Sequence, residues 1–142
     1  MPAHALTGNA RHRRRASALV EMAIVLTLLF LLTLGTVEYG WMFLKQQQIT
    51  NAARQAARKA CAANVNNTTV DTEIANLMSS YGMGSTGYSK TYTPTDVSTA
   101  ARGTSVSVNI SVDYSKITIT NFKLLPLPTT VSATVAMEKE GS

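Results

Sequence analysis

Apolar residues follow three rhythms along this chain. The first is a run: from Met22 to Val37 there is no charge, Pro, Asn or Gln, and the run resumes in Trp41-Met42-Phe43-Leu44. At about 1.5 Å per helical residue, Ser17 to Leu44 exceeds the roughly 30 Å hydrocarbon core of a bilayer, so this stretch predicts a membrane-spanning helix. The second rhythm has helical spacing. Ile49, Ala52, Ala53, Ala56, Ala60 and Ala63 recur three and four residues apart within Gln46 to Ala63, a segment rich in strong helix formers and free of Gly and Pro. Arg54, Arg58 and Lys59 turn away from much of that stripe. Its small side chains permit close approach of another helix or sheet, in the chain's own domain or in a neighbouring subunit. Ser17 to Ala63 therefore reads as one helix on the order of 70 Å long, with Gly35 and Gly40 as the places to bend and Asn64-Val65-Asn66-Asn67 as its end.

The third rhythm has period two. Thr104 to Tyr114 alternates strictly, with Val106, Val108, Ile110 and Val112 on one face and Ser105, Ser107, Asn109, Ser111 and Asp113 on the other, which predicts a half-buried strand. Lys116 to Phe122 repeats the pattern less cleanly through Ile117 and Ile119. Leu124-Leu125-Pro126-Leu127-Pro128 interrupts it, because prolines cannot donate to a ladder. Thr130 to Met137 then predicts another strand with Val131, Ala133, Val135 and Met137 inward. Ahead of the strands, Val70, Ile74, Leu77, Met78 and Tyr81 share one face of a second helix, with Thr69 or Asp71 as its cap and Gly82 closing it. Gly82 to Gly103 reads as a mobile loop holding a short strand near Tyr88 to Thr93. Tyr88 and Tyr92 in it serve either as an exposed contact surface or as edge packing. Three strands with one apolar face need a cover, which the exported end of the long helix and the second helix supply. The expected fold is α+β: a long N-terminal membrane-spanning helix packed on a small antiparallel sheet domain with one additional helix. Its divisions are a basic leader at 1–16, the span at 17–44, a helical extension at 45–66 and a small domain at 67–142.

Charge sharpens the membrane reading. Thirteen Lys and Arg stand against eight Asp and Glu. Arg11, Arg13, Arg14 and Arg15 carry the excess, since without them nine cations face eight anions. Arginines packed before an apolar span hold that end in the cytoplasm, and of the cations behind the span (Lys45, Arg54, Arg58 and Lys59) only Lys45 stands as close to it. No basic stripe with interleaved aromatics follows, which argues against a nucleic-acid partner. Residues 1–10 show no periodicity and are expected to be disordered. A secretory signal peptide fits less well than a retained span, because the one passable small-x-small match, Thr33-Leu34-Gly35, lies inside the apolar run. Cys61 is the only cysteine, so no intrachain disulfide braces the exported part. It reads as a small apolar helix residue before an intermolecular disulfide or a lipid site.

No catalytic constellation, cofactor site or small-molecule substrate is indicated. His4 and His12 stand in the leader, and Cys61 has no histidine near it. Asp71 and Glu73 suit a helix start, and Glu138-Lys139-Glu140 reads as a solvated terminus. Glu21 is different: it lies just inside the apolar boundary, where an ionisable side chain costs about 2.5 to 3.5 kcal/mol if held at the centre and less near an end. Such an acid calls for a cationic partner. Glu38, beside Tyr39, Gly40 and Trp41, reads as an interfacial position whose carboxylate reaches water.

A basic leader, a small residue, and a Glu fifth ahead of a long apolar helix resemble the pattern of type IV prepilins and pseudopilins. Ala18-Leu19-Val20-Glu21-Met22-Ala23, then Leu34-Gly35-Thr36-Val37-Glu38-Tyr39-Gly40-Trp41, then the Gln- and Ala-rich run Gln46 to Arg58 resemble the N-terminal signature of TadE-like proteins of the tight-adherence (Flp, type IVb) pilus system. The likeness covers Arg13 to Ala63. It implies cleavage by a prepilin peptidase between Ala16 and Ser17, with Ala16 standing where such precursors usually have Gly. It also implies that the new α-amine of Ser17 pairs with Glu21 across subunits, that Glu38, Tyr39 and Gly40 belong to the family motif, and that the partners are the peptidase, other pilus proteins and the bilayer. Two other readings remain: an uncleaved single-pass envelope protein whose exported domain binds a partner, and a type II secretion pseudopilin, against which the Gln- and Ala-rich run speaks.

Overall fold

A computed structural model describes residues 7–119 and 126–140, with side chains from residue 15 onward. The chain divides into two compact units, Met1–Val37 and Glu38–Ser142. Helix α1, Thr7–Cys61, contributes residues to both.

In the first unit, α1 presents Leu19, Met22, Ile24, Leu28, Phe30 and Leu32 outward, each more than half exposed. Hydroxyls in this apolar stretch are satisfied locally. Thr27, Thr33 and Thr36 donate to the carbonyls of Ala23, Leu29 and Leu32 at 2.8, 2.8 and 3.0 Å, so each of these hydroxyl protons has its partner within the helix. By length and composition α1 is the one described helix suited to crossing a membrane. It begins ahead of Ser17: Thr7 to Ala10 are helical and not the unstructured tail expected for residues 1–10, whose first six lie outside the described residues. Ala and Arg are strong helix formers, so a helix nucleated by the apolar run propagates back through them.

In the second unit, the remainder of α1 and helix α2, Asn67–Ser80, cover one face of a sheet of β1 (Ser89–Thr93), β2 (Ser105–Asp113) and β3 (Thr130–Glu138). The strands are antiparallel in the order β1-β2-β3, with Val108 opposite both Tyr92 and Val135. Among the described residues the architecture is the expected α+β. Val106, Val108, Ile110 and Val112 of β2 are buried with Val131 and Ala133 of β3 against Ile49, Ala52, Ala53, Ala56, Ala57 and Ala60 of α1. Val70, Ile74 and Met78 of α2 join that core. The alanine face lets the strands lie close to the α1 backbone. Ala63 is exposed, because the helix ends at Cys61 and Asn64 turns the chain with a φ of 56°.

Three expectations about the elements around this core are corrected. The cap of α2 is Asn66, whose Oδ1 accepts from the Thr69 N–H at 3.0 Å, instead of Thr69 or Asp71. Asp71 turns to β1 instead, accepting from Tyr92 and pairing with Lys90. Desolvation pushes its carboxyl up, but the Lys90 and Tyr92 hydrogen bonds and the Lys90 charge outweigh that and hold it low. Gly82 closes α2 as expected: at φ 70° it donates to Ser79, and Met83 donates to Met78, both at the distances of good hydrogen bonds (3.0 and 2.7 Å). The second correction concerns Gly82 to Gly103, which is pinned and not a free loop. Met83 and Val97 are buried, and Asn67 holds both the Thr95 carbonyl at 2.8 Å and the Val97 N–H at 2.9 Å. Third, Lys116 to Phe122 is not a strand as far as it is described. Tyr114–Lys116 is a 3-10 turn, Ile117 packs into the core, and residues 120–122 lie outside the described residues. The sheet's third strand is β1.

Both helices of this unit end on a buried lysine. Lys45 donates to the Tyr81 carbonyl at the end of α2 at 2.9 Å, with its ammonium 4.8 Å from the centre of the Trp41 ring. Lys139 is not in a solvated terminus: it is 4 % exposed and donates to the Ala60 and Ala62 carbonyls at 2.9 and 3.0 Å, while the Glu140 N–H reaches the Cys61 carbonyl at 3.0 Å. Cations and donors placed there satisfy carbonyls that the helix itself cannot. Replacing Lys139 with Met strands those carbonyls, and denaturant unfolding of the detergent-solubilised chain should register a loss of about 1 to 3 kcal/mol. An Ala56→Leu change, which drives a larger side chain into the helix–sheet contact, is expected to cost about 1 to 3 kcal/mol in the same assay.

Candidate functional site

Two acids on α1 dominate the chemistry, and their surroundings are opposite. Glu21, in the first unit, is exposed. One helical turn before it, the Ser17 hydroxyl donates to Glu21 Oε1 over 3.4 Å, a long contact that shows both side chains on one helix face. Arg15 and Ala16 are exposed beside them, and the Ala16–Ser17 bond lies within the helix. Arg11, Arg13 and Arg14 also lie on α1, with side chains outside the described ones.

Glu38, in the second unit, is fully buried. Its carboxylate does not reach water, as expected for an interfacial residue, but accepts from the Tyr114 hydroxyl at 2.7 Å and from the Thr118 hydroxyl. A charged carboxylate in such a place needs several donors to offset its desolvation, and a phenol and a hydroxyl aimed at it supply them. The neighbouring aromatics anchor the same region. Trp41 Nε1 donates to the Ile117 carbonyl at 2.6 Å, and the Tyr39 hydroxyl donates to the Pro126 carbonyl at 3.0 Å. Glu38, Tyr39 and Trp41 thus hold the chain that leaves β2, on both sides of residues 120–125. Gly40 is exposed, with open space where a Cβ would stand.

In the sequence Tyr114 is only the end of an alternating strand, and Thr118 is part of a strand that does not form. The one signal for these roles is Glu38 itself, an acid at helical spacing from Trp41 and Lys45, all of which face the domain. Cys61 is a buried free thiol, raised by burial, on the face of α1 that meets the core. Among the described residues no three His, Cys, Asp or Glu side chains gather as a metal site would require.

Residues 16–58 match the family model of TadE-like proteins, a stretch that takes in both acids and relates the chain to proteins of tight-adherence pilus systems. No curated protein matches the chain, and no solved structure does.

Tyr114 carries a measurable mark of its neighbour. Burial first, then the hydrogen bond to Glu38 and its negative charge, push the phenol up to about 12. A proton held more tightly in the folded than in the unfolded chain stabilises the fold fully below about pH 10, and that contribution fades as pH rises towards 12. Tyrosinate absorbance, with Tyr114→Phe as reference, should show Glu38→Gln bringing this ionisation closer to pH 10, and denaturant unfolding should show a smaller loss of stability between pH 10 and 12 than in the parent chain.

Proposed function

We propose that this chain is a minor pilin or pseudopilin of the tight-adherence pilus apparatus, cut by a prepilin peptidase between Ala16 and Ser17 and assembled through its N-terminal helix. In this reading residues 17–44 anchor it in the cytoplasmic membrane of a bacterium, with the leader arginines inside and the sheet unit exported. The observation that carries the reading is the family match over residues 16–58. Support comes from the placement of Glu21 one turn beyond Ser17 on the same face.

The mechanism is electrostatic. Before cleavage, Arg11, Arg13, Arg14 and Arg15 keep the leader on the cytoplasmic side and mark the boundary that the peptidase meets. Because Ala16–Ser17 lies within a helix, the enzyme must unwind it locally to reach the bond. Cleavage removes the arginines and creates an α-amine on Ser17. When subunits pack, the amine of an incoming subunit meets Glu21 of a neighbour in apolar surroundings. Deleting one member of such a buried pair costs about 3 to 5 kcal/mol, more than the pair contributes in net stability, so the contact sets helix register more than it adds affinity. Glu38 takes no part in this pairing; its work is to hold the exported unit together.

Two measurements test the proposal. N-terminal sequencing of membrane-extracted protein, made with and without a prepilin peptidase, is expected to find Ser17 first only when the enzyme is present. An intact leader in both cases excludes processing, and an end near Thr36 points to an ordinary signal peptide. Glu21→Gln, produced at normal levels, is expected to lower incorporation into purified pili at least about tenfold; unchanged incorporation rules out the charge pairing.

A further inference from the structure

β3 is an edge strand, and hydrogen bonds show which of its backbone groups face outward. The Tyr114 N–H donates to the Thr129 carbonyl, and Lys139 exchanges bonds with Gly103 and Thr104, so odd-numbered residues of this strand pair with the β2 side. Even-numbered ones point the other way. α1 engages two of them: Gln46 Nε2 donates to the Ser132 carbonyl at 3.0 Å, and the Cys61 carbonyl accepts from the Glu140 N–H at 3.0 Å. Between those two clamps the outward N–H and C=O groups of Thr134, Ala136 and Glu138 make no hydrogen bond among the described residues.

Beside this open ladder lies a groove of about 260 Å³, lined by Asn51, Arg54, Gln55 and Arg58 of α1 and by Met137 of β3. The four α1 residues repeat at helical spacing on one polar face. Neither arginine forms an ion pair among the described residues; the two such pairs are Lys90 with Asp71 and Lys116 with Asp113. We infer that the free edge of β3 between Ser132 and Glu140 is a strand-addition site for an extended peptide bearing carboxylates at alternate positions. The added backbone would complete the ladder, and period-two alternation would send every second side chain to the groove side, towards Arg54 and Arg58. The remaining side chains would extend the opposite face, where Ser132 and Thr134 are exposed beside Ser111 and Asn109 of β2. A second copy of this chain is the poorer occupant, because pairing β3 with β3 about a two-fold axis gathers the arginines of both copies along one seam. The inference rests on the sheet unit alone and holds whether or not the leader is cut.

The full-length chain in detergent micelles is titrated with the peptide Thr-Glu-Thr-Glu-Thr-Glu-Thr, with a version carrying Lys for Glu, and with a backbone-N-methylated version. Only the first is expected to bind, and it should slow hydrogen exchange at the Thr134, Ala136 and Glu138 amides at least about tenfold. The double change Arg54→Ala and Arg58→Ala should weaken binding at least about tenfold, and raised salt should weaken it further. Ala136→Pro removes one outward N–H, a change edge strands tolerate, and should abolish binding with the circular dichroism spectrum unchanged. If that variant does not fold, the arginine variant and the N-methylated peptide decide. No binding at millimolar peptide, equal binding of the lysine peptide, or undiminished binding to the arginine variant overturns the assignment. Protection of the edge amides that grows with protein concentration in the absence of peptide overturns it in favour of a second copy.

Discussion

The sheet unit depends on how closely β2 and β3 can approach α1. A strand pair whose inward side chains are mostly valines has little reach, and it can be buried only against a surface that gives way. Ala52, Ala53, Ala56, Ala57 and Ala60 provide that surface, with Ile49 filling one end. Every other feature of the unit is arranged around the contact. α2 closes the other side of the same core with Val70, Ile74 and Met78, and β1 is tied to α2 through the carboxylate of Asp71.

Close approach leaves polar groups stranded, and charged side chains resolve this. The carbonyls at the ends of both helices would be left without donors, and Lys45 and Lys139 reach them from elsewhere in the sequence. Each lysine buries its stem and spends its charge where the helix dipole favours a cation. Glu38 is the counterpart of opposite sign, an acid fixed under the chain that follows β2 by Tyr114 and Thr118. These groups add specificity, since a shift of one residue between helix and sheet would leave a charge buried without its partner.

The two acids of α1 therefore do unlike work. Glu38 is satisfied within its own chain, so its place in the matched stretch has a structural explanation. Glu21 is exposed, and its hydrogen bond among the described residues is the long one from the Ser17 hydroxyl, so nothing within the sheet unit accounts for its place on an apolar helix. The same division applies along the sheet, where the β2 side of β3 is complete and its outer edge offers backbone groups to something else.

The sequence by itself determined the elements whose signal is local. An unbroken apolar run, an alanine stripe at helical spacing and a strictly alternating strand each report one periodicity, and a periodicity needs no distant partner to be read. They fix the long apolar helix, the buried face of α1, the core faces of β2 and β3, and the α+β class. What only the tertiary structure decided is where polar side chains go once those faces close. Lys139 looks like part of a solvated Glu-Lys-Glu end until α1 stops beside it, Glu38 looks interfacial until Tyr114 folds over it, and Lys116 to Ile119 alternates like a strand although β1 takes that place. A charge or a hydrogen-bonding group has no preferred partner in one dimension; its partner is whichever group folding leaves unsatisfied within about 3 Å, and such pairs lie up to 87 residues apart here.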